Sequence, residues 1–266
     1  MTGLNPQRVG LARALSKLGY CSRSAAFRLI RAGKVAVNGT VQRDPERPVG
    51  WQRDRIEAEG RTIAASEKVY LKLNKPRGAV TTSADEKGRR TVYANLDENR
   101  PWIAPVGRLD KASEGLLLLT NDSAWAARVL APETHLDKTY HVQIAAVVDA
   151  ALLAALLRGV VSEGDRLRAK AARFLRSGDK NSWLEVVLDE GKNRQIRRML
   201  AACDIEVLRL VRVAIGPLTL GDLAKGDAQM LTSGEKRALD LAMKTTRSRD
   251  KYPESAAQTR PSGAAR

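Results

Sequence analysis

The sequence predicts an α+β protein in two folded parts: a small basic N-terminal domain, and a larger domain with a mixed, mainly antiparallel sheet. Charge divides the chain, because residues 1–61 hold 12 basic and 5 acidic side chains whereas residues 62–243 hold 28 and 23. In the larger part, strand-like and helix-like segments follow in irregular order, which favours α+β over a doubly wound parallel sheet. Residues 244–266 are polar and poor in core residues, so we expect a disordered basic tail.

The N-terminal domain is predicted to contain two short helices and a hairpin. Apolar residues between Leu11 and Leu18 recur at helical spacing, and Ser22 can cap a second helix that runs to about Ala32. The pair Asn38-Gly39, flanked by alternating valines, is typical of a type I′ hairpin turn.

The larger domain is predicted from its apolar periodicity to contain five strands and four helices. The strands are expected at residues 69–74, 116–120, 139–145, 167–175 and 183–188. The helices are expected at residues 122–130, 149–157, 193–202 and 234–243.

The charge of the chain points to nucleic acid as its partner. There are 46 Lys and Arg against 30 Asp and Glu, and the pI is about 10.2. No acidic residue precedes Asp44, so the first cations repel one another unless phosphates neutralise them. No signal-peptide core is seen at the start, and the two cysteines, Cys21 and Cys203, have no metal-like spacing. We therefore expect a cytoplasmic protein whose thiols are packed as small apolar groups.

The stretch RALSKLGYCSRSAAFRLIRAGKVAVNG, from residue 13 to 39, resembles the S4-type RNA-binding domain. In that family a pair of helices and the following strand present basic side chains to structured RNA. The resemblance implies RNA contacts for Arg13, Arg23, Arg28, Arg31 and Lys34.

The most unusual segment reads PVGRLDKASEGLLLLTND, from Pro105 to Asp122. An isolated Asp110 would be read as a turn residue before a core strand. Gly107 and Gly115 bracket this loop and permit close approach of the backbone. A carboxylate between Arg108 and Lys111 would be kept ionised and oriented.

This segment closely resembles the signature of the RsuA/RluB/RluE/RluF family of rRNA pseudouridine synthases. Further family blocks are LNKPRGAVTT at 73–82, KTY at 138–140, EGKNRQIRRM at 190–199 and LVRVAIG at 210–216. The resemblance spans about residues 68–235. It implies that one uridine of ribosomal RNA is flipped out and isomerised.

The resemblance also implies roles for individual residues. Asp110 is the expected nucleophile, which attacks or stabilises C1′ of the ribose, with either a covalent sugar adduct or a glycal as the intermediate. Tyr140 stacks on the flipped base, and Arg197 pairs with Asp110 and holds it ionised. Arg108 would fill the place of the displaced base. Lys192 and Arg194 would contact phosphates at the RNA entrance.

The reaction requires no redox change and no energy source, so we expect neither a metal nor any other cofactor. We expect a monomer acting on large-subunit 23S rRNA; small-subunit 16S rRNA is the alternative substrate. Two other functions are alternatives to uridine isomerisation. A non-enzymatic ribosome-assembly factor would not need Asp110, Tyr140 and Arg197 together, and an RNA methyltransferase should carry a glycine-rich cofactor loop where this chain reads LNKPRGAV.

Overall fold

A computed structural model describes residues 8–82, 87–94, 96 and 100–249 of the chain. It confirms the α+β class, with a small N-terminal unit and a larger mixed sheet that is mainly antiparallel. In the described part of the chain, no helix is long and apolar enough to cross a membrane.

The N-terminal unit contains the two predicted helices and the predicted hairpin. Its elements are β1 (Val9–Gly10), α1 (Leu11–Lys17), α2 (Arg23–Arg31), β2 (Val35–Val37), β3 (Thr40–Gln42), β4 (Pro48–Val49), β5 (Ile56–Ala58) and β6 (Arg61–Thr62). The Ser22 hydroxyl accepts a hydrogen bond from the Ala25 backbone N–H at 3.1 Å and caps α2 as expected. Asn38 and Gly39 have φ of 52° and 82°, as a type I′ turn requires. The hairpin is extended to a four-stranded sheet in the order β3-β2-β5-β6.

The larger unit contains the main sheet and four α-helices. Its elements are β7 (Tyr70–Lys75), β8 (Ala104–Pro105), β9 (Glu114–Thr120), α3 (Ser123–Leu130), β10 (Lys138–Ile144), α4 (Ala150–Arg158), β11 (Val160–Ser162), β12 (Asp165–Leu167), β13 (Ala171–Ser177), β14 (Ser182–Leu188), α5 (Gln195–Ala201), β15 (Val207–Ile215), β16 (Leu218–Thr219), β17 (Ala228–Met230) and α6 (Ser233–Arg249). The sheet order is β13-β14-β10-β15-β9-β7-β17. Among these neighbours only β15 and β9 pair in parallel.

Strand β9 lies at the centre of the larger unit and is buried on both faces. All seven of its residues are buried. Leu116 and Leu118 pack against α3 and α6, whereas Leu117 and Leu119 belong to a separate cluster on the opposite face, with Leu109. Because both faces are covered, the strand is a continuous apolar run instead of an alternating one.

Three predictions about the larger unit require correction. The strand expected at 167–175 is interrupted, since β12 ends at Leu167 and β13 begins at Ala171. Strand β15 was not predicted, although it pairs with both β9 and β10. Helix α6 continues to Arg249, so the first residues of the predicted tail are helical. Residues 250–266 lie outside the described residues.

The two units meet at the turn after α1. The backbone N–H of Trp102 donates to the Gly19 carbonyl at 3.0 Å, and the Ser66 hydroxyl donates to the Leu18 carbonyl at 2.9 Å. The side-chain amide of Asn121 donates to Ser66 Oγ at 3.1 Å. These hydrogen bonds join the turn after α1 to two segments of the larger unit: the one before β7, at Ser66, and the one before β8, at Trp102.

We expect Gly115→Ala to destabilise the larger unit by at least about 3 kcal/mol, because the position combines strained backbone with a steric conflict. Gly115 has φ of +97°, and an added Cβ would collide with the Arg212 carbonyl and approach its nitrogen to 2.9 Å. The matched control is Gly164→Ala, where φ is +81° but no atom lies within 4 Å. Urea unfolding should show a loss of only about 1–2 kcal/mol for the control. Equal losses in the two variants would contradict the close packing of β9 on β15.

Candidate active site

The loop that carries Asp110 is held by the segment that follows β7. The Gly78 N–H donates to the Lys111 carbonyl at 2.7 Å, and the Thr81 hydroxyl donates to the Leu109 carbonyl at 2.7 Å. Both backbone groups flanking Asp110 are thus fixed by residues of the LNKPRGAVTT block. The sequence indicated that this block belongs with the loop but did not indicate the contacts.

Lys75, at the end of β7, supports the Asp110 loop and was not predicted from the sequence. Its side chain is fully buried, and its ammonium donates to the carbonyls of Ser113 at 2.7 Å and Pro76 at 3.2 Å. Burial lowers the pKa of Lys75 to about 8, although Glu114 and Asp110 oppose the decrease. The buried Lys75 ammonium therefore holds the backbone of the Asp110 loop at Ser113.

Glu114 secures the same loop from the start of β9. The carboxylate is almost fully buried and accepts two hydrogen bonds from Arg209, at 3.0 and 3.1 Å. It also forms an ion pair with Lys225 at 2.7 Å. Burial alone would raise the pKa of Glu114, but the bonds from Arg209 and Lys225 outweigh burial and hold the pKa below its usual value. This arrangement gives Glu114 a structural role in holding the loop.

The partner of Asp110 differs from the expectation. In the described part of the chain, the ion pair to the Asp110 carboxylate comes from Arg194, with Nη1 and Oδ2 at 3.4 Å, and not from Arg197, Arg108 or Lys111. Arg194 is the residue before α5 and has φ of +47°. A positive φ is uncommon for a bulky residue and is typical of functional sites, where packing enforces the strain. Arg194 therefore combines a left-handed backbone conformation with a direct contact to Asp110.

The side chain of Arg197 contacts the backbone of the Asp110 loop. Its guanidinium donates to the carbonyls of Ala112 at 3.3 Å and Val207 at 3.2 Å, so it links the loop to β15. Within the described residues its Nε is buried without a hydrogen-bond partner. Burial lowers the pKa of Arg197, and Arg194 lowers it further, whereas Asp110 opposes the change. Arg197 is therefore electrostatically coupled to Asp110 without the predicted direct pair.

Tyr140 lies on β10, opposite Arg212 of β15. Its ring is half-buried and packs against two clusters, one of which contains Leu109, the residue before Asp110. An aromatic ring that is only partly covered and lies beside the Asp110 loop can offer a face to a planar ligand.

The remaining predicted residues of the larger unit are exposed. Lys192 donates to the Arg166 carbonyl at 3.2 Å and lies 3.6 Å from a Glu190 oxygen, so its ammonium is partly engaged by the protein. Arg108 is exposed on the Asp110 loop. Arg77 is a further cation near Arg197, since it contributes to lowering the Arg197 pKa.

The predicted RNA-contacting residues of the N-terminal unit are exposed on α1, α2 and the turn that follows. They are Arg13, Arg23, Arg28, Arg31 and Lys34. Lys34 requires a correction, because it forms an ion pair with Glu59 at 3.1 Å and is not an unpaired cation.

Lys17 is an additional member of this basic surface. Burial lowers its pKa, and the cations that lower it further are Arg13, Lys68 and Arg23. Lys68 lies outside the N-terminal unit, so the basic surface continues onto the larger one.

The arrangement suits chemistry on an anionic substrate. The half-buried carboxylate of Asp110 pairs with the Arg194 guanidinium and lies near that of Arg197, and the neighbouring Leu109 belongs to a cluster against which Tyr140 packs. In the described part of the chain, no cluster of His, Cys, Asp and Glu could hold a metal ion. Such a site can bind phosphates with its cations and present a single carboxylate to a sugar carbon.

Comparison with known proteins places these features in a family context. Residues 69–202 match the family described as RNA pseudouridylate synthase, and residues 9–56 match the S4 domain. The chain is 39% identical over 231 residues to ribosomal large subunit pseudouridine synthase B of Bacillus subtilis (strain 168), covering 86% of this chain and 94% of that protein. It is 36% identical over 236 residues to an uncharacterized RNA pseudouridine synthase of Aquifex aeolicus (strain VF5), covering 88% and 95%. A crystal structure of a pseudouridylate synthase aligns with a TM-score of 0.61 at 30% identity, over 87% of this chain and 99% of that one.

We expect the contribution of Lys75 to stability to rise between about pH 8 and pH 10.5. In this window the unfolded chain keeps the Lys75 proton while the folded protein has released it, so folding becomes more favourable as pH increases. The full change is about 3 kcal/mol. Urea unfolding of the parent and of Lys75→Met across this range measures it, because the difference between the two proteins isolates Lys75. If the difference in the free energy of unfolding between the two proteins does not change with pH, the pKa of Lys75 is not lowered in the folded protein.

Proposed function

Because the chain belongs to the RNA pseudouridylate synthase family and is an RNA pseudouridine synthase, we propose that it isomerises a single uridine of large-subunit ribosomal RNA. The observation that supports the proposed reaction is the environment of Asp110. Hydrogen bonds hold the backbone on both sides of this residue, and its carboxylate pairs with Arg194, which has a positive φ. The large-subunit substrate is supported by the name and the 39% identity of the Bacillus subtilis relative.

In the proposed reaction, Asp110 acts at C1′ of the target ribose. The bond between N1 of uracil and C1′ breaks, the base turns while it remains enclosed, and C5 bonds to C1′. The proton on C5 is released and N1 is protonated, so no electron acceptor is needed. The clamps on Leu109 and Lys111 favour this role because they fix the carboxylate before the substrate arrives.

Arg194 and Arg197 support the carboxylate in different ways. Arg194 pairs directly with the Asp110 carboxylate, and on RNA binding it is free to move to a phosphate because its side chain is half exposed. Arg197 holds the backbone of the loop at Ala112. We assign the flipped base to the face of Tyr140, because aromatic stacking is the general way in which extruded bases are held.

The N-terminal unit is proposed to dock the RNA. The exposed guanidinium groups of Arg13, Arg23 and Arg31, together with Lys17, form a surface suited to phosphates, and Lys68 extends it towards the larger unit. A domain covering residues 1–61 would then position the RNA while the domain covering 62–243 performs the reaction. Arg108 is proposed to occupy the space left by the flipped base.

We expect Asp110→Asn to abolish pseudouridine formation while leaving RNA binding intact, because the amide cannot act as a nucleophile or carry the charge. The measurement is pseudouridine mapping of ribosomal RNA from cells that lack the gene and carry either the parent or the variant. The parent should restore one pseudouridine in large-subunit RNA and the variant none. The control Asp179→Asn changes an exposed carboxylate and should behave as the parent. Restoration by Asp110→Asn would contradict the catalytic assignment, and a restored site in small-subunit RNA would contradict the substrate.

We expect the triple variant Arg13→Ala, Arg23→Ala, Arg31→Ala to bind ribosomal RNA more weakly and with a shallower salt dependence. Loss of three phosphate contacts should reduce the slope of log K against log salt by roughly 2 to 3. Filter binding over a range of salt concentrations measures this slope. Arg237→Ala, an exposed residue of α6, is the charge control and should leave the slope nearly unchanged. An unchanged slope in the triple variant would refute the docking role of this surface.

A further inference from the structure

A pocket of about 460 Å³ lies where the N-terminal unit meets the larger one. Its volume falls in the range of roughly 300–1,000 Å³ that is typical of ligand pockets. Tyr20, Ser22 and Arg28 line it from the N-terminal unit, and Tyr93, Arg100 and Trp102 line it from the larger unit. Its residues differ from those around Asp110, so it is separate from the candidate active site.

The side chains in this pocket offer aromatic faces and positive charge. Tyr93 and Trp102 pack edge to face, with ring centroids 5.9 Å apart, and the Arg100 guanidinium lies over the Tyr93 ring at 5.3 Å from its centroid. Within the described residues, Nε of Arg100 is buried without a hydrogen-bond partner. Among the described residues that line the pocket, none carries a carboxylate. The site therefore favours a ligand that is both planar and anionic.

The pocket is held in shape by the junction between the two units. The Trp102 N–H donates to the Gly19 carbonyl at 3.0 Å, next to Tyr20. The Tyr93 hydroxyl donates to the Ile103 carbonyl at 2.8 Å, and the Tyr20 hydroxyl donates to Glu59 at 3.2 Å. The two tyrosine rings are therefore anchored through their hydroxyls and Trp102 is held through its backbone, so a ligand would meet a largely preformed site.

The position of the pocket connects it to RNA. Arg28 belongs both to the basic surface of α2 and to the pocket, and Trp102 lies eight residues before Asp110 on the same segment. An RNA that contacts α2 beside this pocket can therefore place a nucleotide in it. Unpaired nucleotides are recognised in proteins by stacking on aromatic rings or guanidinium planes, with cations at their phosphates.

We propose that this pocket binds one unpaired nucleotide of the substrate RNA, distinct from the target uridine, with its base among Tyr20, Trp102 and Arg100 and its phosphate on Arg28. The proposal rests on the proposed function for the identity of the RNA. It adds a determinant of substrate choice: the enzyme selects an RNA with an unpaired nucleotide at a fixed distance from the modified uridine.

The test uses the full chain carrying Asp110→Asn and two RNA hairpins that differ only in one unpaired nucleotide in the stem. We expect the hairpin with the unpaired nucleotide to bind about ten-fold more tightly, as loss of one stacked base costs that much or more. Arg100→Ala should remove the preference, and Trp102→Leu should do the same if its thermal unfolding matches that of the parent. The charge control Arg237→Ala should keep the preference.

Photo-crosslinking with 4-thiouridine at the unpaired position provides a second measurement. Crosslinked peptides should contain Tyr20 or Trp102. Crosslinks confined to other regions, or a preference that survives Arg100→Ala, would overturn the proposal. The outcome is separable from the proposed reaction: a preference without pseudouridine formation by the parent rejects the reaction alone, and pseudouridine formation without a preference rejects the pocket alone.

Discussion

The structure depends on the burial of strand β9 on both of its faces. Its four leucines separate two apolar clusters, and its first residues, Glu114 and Gly115, pack directly on β15. Because the strand cannot shift without exposing apolar surface on one face, the loop that precedes it has a fixed exit point. The position of Asp110 is therefore a consequence of core packing before any polar contact is considered.

Polar groups from separate segments then define the loop itself. Lys75 fixes the carbonyl of Ser113, Arg197 fixes that of Ala112, and Gly78 fixes that of Lys111. Each of these bonds engages the backbone, so the loop conformation does not depend on the side chain at 110. Because these bonds engage the backbone, the Asp110 carboxylate is available for Arg194 and for a substrate. The surrounding cations can compensate the charge of an RNA substrate.

Periodicity and turn chemistry predicted most of the fold, and the failures have physical causes. The N-terminal helices, the cap at Ser22 and the Asn38-Gly39 turn depend on local preferences, which a sequence displays directly. Strand β15 was missed because its alternating pattern contains Arg209 and Arg212, and Arg212 is buried with its Nε bonded to the Leu116 carbonyl. The location of the Asp110 loop was predicted from its motif, but its partner was not. The Arg197 guanidinium is bonded to the carbonyls of Ala112 and Val207, and Arg194 pairs with Asp110 instead; these are tertiary contacts that no local pattern encodes.

The parallel pairing of β9 with β15 has a consequence for synthesis of the protein. Glu114 pairs with Val211, so the chain must be made almost one hundred residues beyond the Asp110 loop before the loop acquires its neighbour. Contacts this distant in sequence form late and slow the overall folding rate. Arg194, Arg197, Arg209 and Lys225 also belong to this late segment. The basic N-terminal helices are therefore synthesised long before the residues that complete the surroundings of Asp110, so the N-terminal unit can fold while the larger unit is still incomplete.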